Sequence, residues 1–104
     1  MNRTKIEELL RDVGSGEGPD RASILAALRL IATAIDAGEV RHGHAAHGVA
    51  TAMGFVVAGR RREAAWWARQ AISGVALPVV LPDNLLVKDL ISGIEALEHD
   101  EPGD

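Results

Sequence analysis

One stretch, residues 44–74, does most to limit what this chain can fold into: HAAHGVATAMGFVVAGRRREAAWWARQAISG. Its first half is apolar or small nearly all round, through Ala45, Ala46, Val49, Ala50, Ala52, Met53, Val56 and Val57. A helix without a strong polar face needs neighbours on several sides. Gly59 punctuates the stretch, and Ala64, Ala65, Ala68, Ala71 and Ile72 then mark one face of a second helix. The expected fold is therefore all-α: a small bundle of four to five helices, with a central apolar helix over about 42–58 and a helical hairpin about Gly59.

The rest of the chain fits that reading. Three aromatic residues in 104 leave the core to Ala, Val, Leu and Ile, which suits closely packed helices. Ile6, Leu9, Leu10 and Val13 form one stripe, predicting a first helix from about Arg3 to Val13. Gly14-Ser15-Gly16-Glu17-Gly18 breaks it. Pro19 and Asp20 are suited to the first turn of a second helix, whose inward stripe is Ile24, Leu28, Ile31 and Ile35, joined by Leu25 and Ala32. Leu30 points away from that stripe, and Gly38 is placed to end the helix.

Gly43, Gly48 and Gly54 each cost about 1 kcal/mol relative to Ala inside a helix. Close backbone approach is the expected compensation, with Ala50, Gly54 and Ala58 forming a groove for another helix. VALPVVLP over 75–82 predicts an extended strap, because Pro78 fits neither a helix nor a central strand. Asp83 is the expected cap of a last helix with the stripe Val87, Leu90, Ile94 and Leu97. The domain plan is an N-terminal helical arm (1–13), a flexible linker (14–19), the helical bundle (20–98) and an acidic tail (99–104).

Ala52, Phe55, Gly59, Ala64 and Ala71, followed by Ile72, resemble the small–aromatic–glycine–alanine–alanine spacing of a tetratricopeptide repeat. The resemblance covers about a third of the chain. It departs at Gly48 and Ala68, where aromatics are usual, and at Pro78, two residues late. It implies a helical hairpin, and peptide binding in a groove.

Charge and composition narrow the function. Cysteine is absent, which removes disulfides, thiol catalysis and thiolate zinc sites. MNRTKIEELL does not read as a signal peptide, and no apolar run reaches a spanning helix of about 20 residues. A cytoplasmic protein with no membrane association is expected. The net charge of −4 is uneven, since residues 95–104 hold five acids and no Lys or Arg. Nine Arg against two Lys, with abundant Ala and Gly, is the composition of a GC-rich bacterium or its phages and mobile elements.

Three features offer function. Trp66 lies nearly opposite the alanine face, Arg62 and Gln70 sit one turn either side of it, and Arg69 shares its flank. With Trp67, these residues predict a protein–protein interface, because an indole among guanidiniums is a strong anchor with cation–π partners. Arg60, Arg61, Arg62 and Arg69 form the alternative, a nucleic-acid patch, which the acidic tail is placed to cover. Helix-turn-helix spacing over 34–50 fails, because His44 falls where an apolar residue is needed. His42, His44 and His47 are weak metal candidates, with Glu39 near and His99 remote.

No serine elbow, phosphate loop or paired acid motif is present, so the expectation is no enzyme and no cofactor. The sequence is best read as a non-enzymatic accessory or regulatory module. Its expected partner is a protein, first of all a second copy of itself meeting it through the Trp/Arg face or an apolar helix face.

Overall fold

The computed structural model describes residues 3–11, 18–39, 42–73 and 87–99. They form five helices, and no strand occurs among them: α1 (Arg3–Leu9), α2 (Arg21–Asp36), α3 (His42–Val57), α4 (Arg61–Ser73) and α5 (Val87–His99). The protein is a small all-α bundle. The strap over 75–82, the Asp83 cap and the chain from 100 onward lie outside the described residues.

Local chemistry sets the helix ends. Asp20 is the N-cap of α2, its carboxylate accepting from the Ser23 backbone N–H at 2.8 Å. Pro19 precedes this cap, so it stands outside the helix and not in its first turn, as the sequence had suggested. Ser23 lowers the Asp20 pKa, first through its backbone N–H and then through its side chain, and nearby Arg61 adds to the effect.

At the other end, Gly38 adopts φ +78° and donates to the Ile35 carbonyl, while the Glu39 N–H reaches Ala34. The turn after α3 repeats this geometry: Gly59 at φ +77° donates to Val56, and the Arg60 N–H reaches Phe55. Both are Schellman closures, in which a left-handed glycine satisfies the orphaned carbonyls of the last turn. Three residues, Ala58 to Arg60, separate Val57 from the start of α4.

The fully buried Leu and Ile side chains come from three helices: Ile6 and Leu10 at α1, Ile24, Leu28 and Ile31 on α2, and Ile94 on α5. Each such side chain contributes roughly 1.5–3 kcal/mol by leaving water. The predicted α2 stripe is wholly inside, and Leu30 stays 38% exposed. Leu97 of the α5 stripe is only partly buried, and Val13 of the α1 stripe lies outside the described residues. Helix α1 docks on its own bundle, since Ile6 and Leu10 join the same cluster as α2 and α5.

The hub is α2, which packs against α1, α3, α4 and α5. Helix α3, expected to be central, packs against α2, α4 and α5. Helix α3 buries Ala45, Ala46, Val49, Ala52 and Val56, but leaves Val57 69% exposed and Gly54 open. Small side chains explain that exposure. A helix rich in Ala and Gly is apolar on average, yet it offers little area to bury on its second side.

Close approach between α3 and α4 occurs at Gly48, not at Gly54. A Cβ on Gly48 would lie 2.9 Å from the Ala71 Cβ and 3.3 Å from the Trp67 carbonyl oxygen. Nothing lies within 4 Å of a Cβ at Gly54, so Ala50, Gly54 and Ala58 cradle no described helix. A second close contact, at Gly93 of α5, sets a would-be Cβ 2.5 Å from Met53 Cε.

Candidate functional site at the outer face of helix α4

Helix α4 separates its residues by size. Ala64, Ala65, Ala68, Ala71 and Ile72 are buried against the bundle. On the other side Arg62, Trp66 and Arg69 are exposed. Trp66 retains 50% of its surface. Trp67 turns inward and packs on the core. The two rings meet edge to face, 5.1 Å apart at 80°, an arrangement worth about 0.5–1.5 kcal/mol. The adjacent tryptophans thus do different work: Trp67 anchors and Trp66 projects.

Trp66 forms part of an open groove of about 440 Å³, lined by Gly18, Pro19, Arg62, Glu63, Ala65, Trp66 and Arg69. The far wall is the chain entering α2. Gly18 sits there at φ +92°, so close that a Cβ would lie 3.1 Å from the Arg62 backbone nitrogen. That wall was not legible in the sequence, because Gly18 and Pro19 lie more than forty positions from α4. Their Gly-Pro character read as punctuation, not as a surface.

The arginines are unevenly committed. Arg60 pairs with Glu63 at 3.0 Å, and its guanidinium carbon lies 5.8 Å from the centre of the Phe55 ring. Arg61 lies close enough to Asp20 to help lower its pKa. Arg69 donates through Nη2 to the Leu10 carbonyl, just beyond the end of α1. Arg62 has no hydrogen bond or ion pair among the described residues. The described residues give Trp66 no cation–π partner; that contact falls on Phe55 instead.

Of the residues that the sequence put forward, Arg62, Trp66 and Arg69 come together at the groove. Gln70 is half-buried and does not line it, and its carbonyl accepts from the Ser73 hydroxyl at 2.9 Å. Arg60 and Arg61 are each held beside a carboxylate, which leaves the arginine run less charged outward than its sequence suggests.

Nor do the described acids of the last helix cover this run. Glu98 and Glu95 face Arg29 of α2, at 2.8 and 3.5 Å. His42 and His44 lie on α3, but their side chains are outside the described residues; His47 is half-buried. Among the described residues no three His, Asp or Glu gather as a metal site, and no helix is long and apolar enough to cross a membrane.

Comparison with models of known families, with characterised proteins and with solved structures finds no match to this chain. The tetratricopeptide-like spacing around Gly59 thus gains no family behind it. The functional reading rests on the groove.

Proposed function

We propose that this chain is a non-enzymatic protein–protein interaction module, a small accessory or regulatory protein whose contact surface is the outer face of α4. The observation that carries this reading is Trp66. It is half exposed, lies in a groove with Arg62 and Arg69, and its indole N–H has no acceptor among the described residues. A Trp side chain buries roughly 150–250 Å² when fully covered. Covering the exposed half, on the order of 100 Å², contributes about 2–3 kcal/mol, enough for an anchor residue at a contact.

A second copy of the chain is the simplest partner to test. Absolute mass by light scattering, at low and high salt and at about pH 6 and about pH 8, distinguishes a monomer from an oligomer. If α4 makes the contact, Trp66→Ala returns an oligomer to monomer mass and lowers the melting temperature by no more than the loss of the Trp67 contact explains. A large collapse of folding stability would return Trp66 to the core and end the reading. A wild-type monomer at every condition would remove the second copy and direct the search to a foreign protein.

A further inference from the structure

We infer that the groove takes an acidic segment of a foreign protein, in which a carboxylate neighbours an apolar side chain. The inference rests on the reading of the α4 outer face as a protein contact surface, and it names the partner's chemistry. It starts from hydrogen-bonding capacity. Among the described residues, donors predominate in the groove's uncommitted side-chain groups: the Trp66 indole N–H, the Arg62 guanidinium, and the Arg69 N–H groups not used on Leu10. Its one side-chain acceptor, Glu63, is engaged through Oε1 by Arg60 and its charge is offset there, so the net charge left in the groove is that of Arg62 and Arg69. An occupant must therefore bring acceptors, and a carboxylate is the acceptor that guanidinium geometry fits best.

The remaining lining is apolar: Pro19, Ala65 and the Trp66 ring. It suits a short aliphatic or aromatic side chain next to that carboxylate. Arg62 and Arg69 stand one turn before and after Trp66, so charge contacts flank an apolar centre. That is the anatomy of an interface anchor with a polar rim.

Two other occupants fit less well. A second copy meeting this face across a two-fold axis at Trp66 would bring Arg62 of one copy toward Arg69 of the other, and like charges brought together are costly. A nucleic acid needs a longer run of free cations. Here Arg60 faces Glu63, Arg61 neighbours Asp20, and the whole chain carries −4. A discrete carboxylate suits the groove better than a polyanion.

The test is selection from a random-peptide display library on the full chain. Chosen peptides are then synthesised, with matched versions in which every Asp and Glu becomes Asn or Gln. Binding is read by fluorescence polarisation. The expected result is enrichment of acidic residues beside apolar ones. Binding should weaken about tenfold or more when the peptide is neutralised, and about tenfold for Arg62→Gln, the loss of a charge-assisted contact. Arg62 is exposed, so that variant is expected to keep its circular dichroism spectrum.

Equal binding by neutralised peptides, with Trp66→Ala abolishing both, would overturn the acidic partner and leave the contact surface standing. Failure to enrich any sequence would overturn the inference, with the mass measurement judging the contact surface separately. Tighter binding of single-stranded oligothymidine than of any peptide would assign the groove to nucleic acid. Loss of peptide binding whenever the chain dimerises would seat a second copy there.

Discussion

Arg29 on α2 and Arg62 on α4 are put to opposite uses. On α2, Arg29 meets Glu98 and Glu95, and Arg21 donates to the Leu97 carbonyl at 3.1 Å, so the seam with α5 is closed by partners from the same chain. On α4, Arg62 has no such partner among the described residues, and Arg69 spends only part of its donor set on Leu10. One seam completes itself and the other is left with donors to spare. A cation matched within its own fold is part of the structure; an unmatched one beside an exposed Trp is a place for something else to bind.

The comparison holds only while both helices rest on the same core, and Leu28→Ala tests that support most severely. Leu28 is fully buried on the hub helix. Its truncation should cost about 3 kcal/mol, a fall in melting temperature on the order of 15 °C for a domain of this size. Seam and groove are expected to melt together. Separate transitions by circular dichroism and by tryptophan fluorescence, which reports α4 alone, would show that the two regions fold independently.

Gly48→Val strikes the α4 side selectively. The new side chain meets Ala71 and the Trp67 carbonyl, neither of which is a flexible tip. A loss of about 2–3 kcal/mol is expected from overpacking, with a red-shifted folded-state emission as Trp67 is pried outward. Unchanged emission and stability would mean that the two helices stand further apart.

Asp20→Ala removes the cap that holds the start of α2 near the groove wall, at about 1 kcal/mol. It also gives the protein a pH signature. The folded pKa of Asp20 lies below its unfolded value. Its stabilisation is therefore present above the unfolded value and is lost as pH falls through the folded one. Urea midpoints should show wild type and variant converging as the pH is lowered through the carboxylate range. A gap that stays constant in acid would assign the cap's effect to packing.

The smallest effects address the comparison itself. Arg29→Ala should lose about 0.5 kcal/mol, since its pairs are half exposed and screened by solvent. Arg62→Ala should change stability by about zero. Equal losses from the two, measured by denaturant melts at low salt, would erase the difference between the closed seam and the open face.

Much of the bundle was legible because it follows from periodicity. The α2 stripe of Ile24, Leu28, Ile31 and Ile35 is inside, as its spacing required, and so are Val87, Leu90 and Ile94 of α5. The turn glycines were legible as well, since Gly38 and Gly59 take a backbone conformation that few other residues adopt cheaply. The opposed faces of α4 also follow from counting, with Trp66 set against the alanines. Beyond that, counting fails. Three glycines punctuate α3, and nothing in their spacing says that Gly48 meets Ala71 while Gly54 faces open space. Arg29 was unremarked in the sequence, and its partners lie 66 and 69 positions away.

The amino-acid sequence alone determined which segments are helical, where α2 and α3 stop, and which face of each strongly amphipathic helix turns inward. Those properties depend on residues within a few turns of one another, where backbone preference and apolar spacing act directly. Only the tertiary structure decided that α2 is the hub, that Gly18 and Pro19 wall the groove beside Trp66, and which arginines find acids. Each of these depends on how whole faces pack, and packing is settled by the summed shape of many side chains, not by any local run of residues.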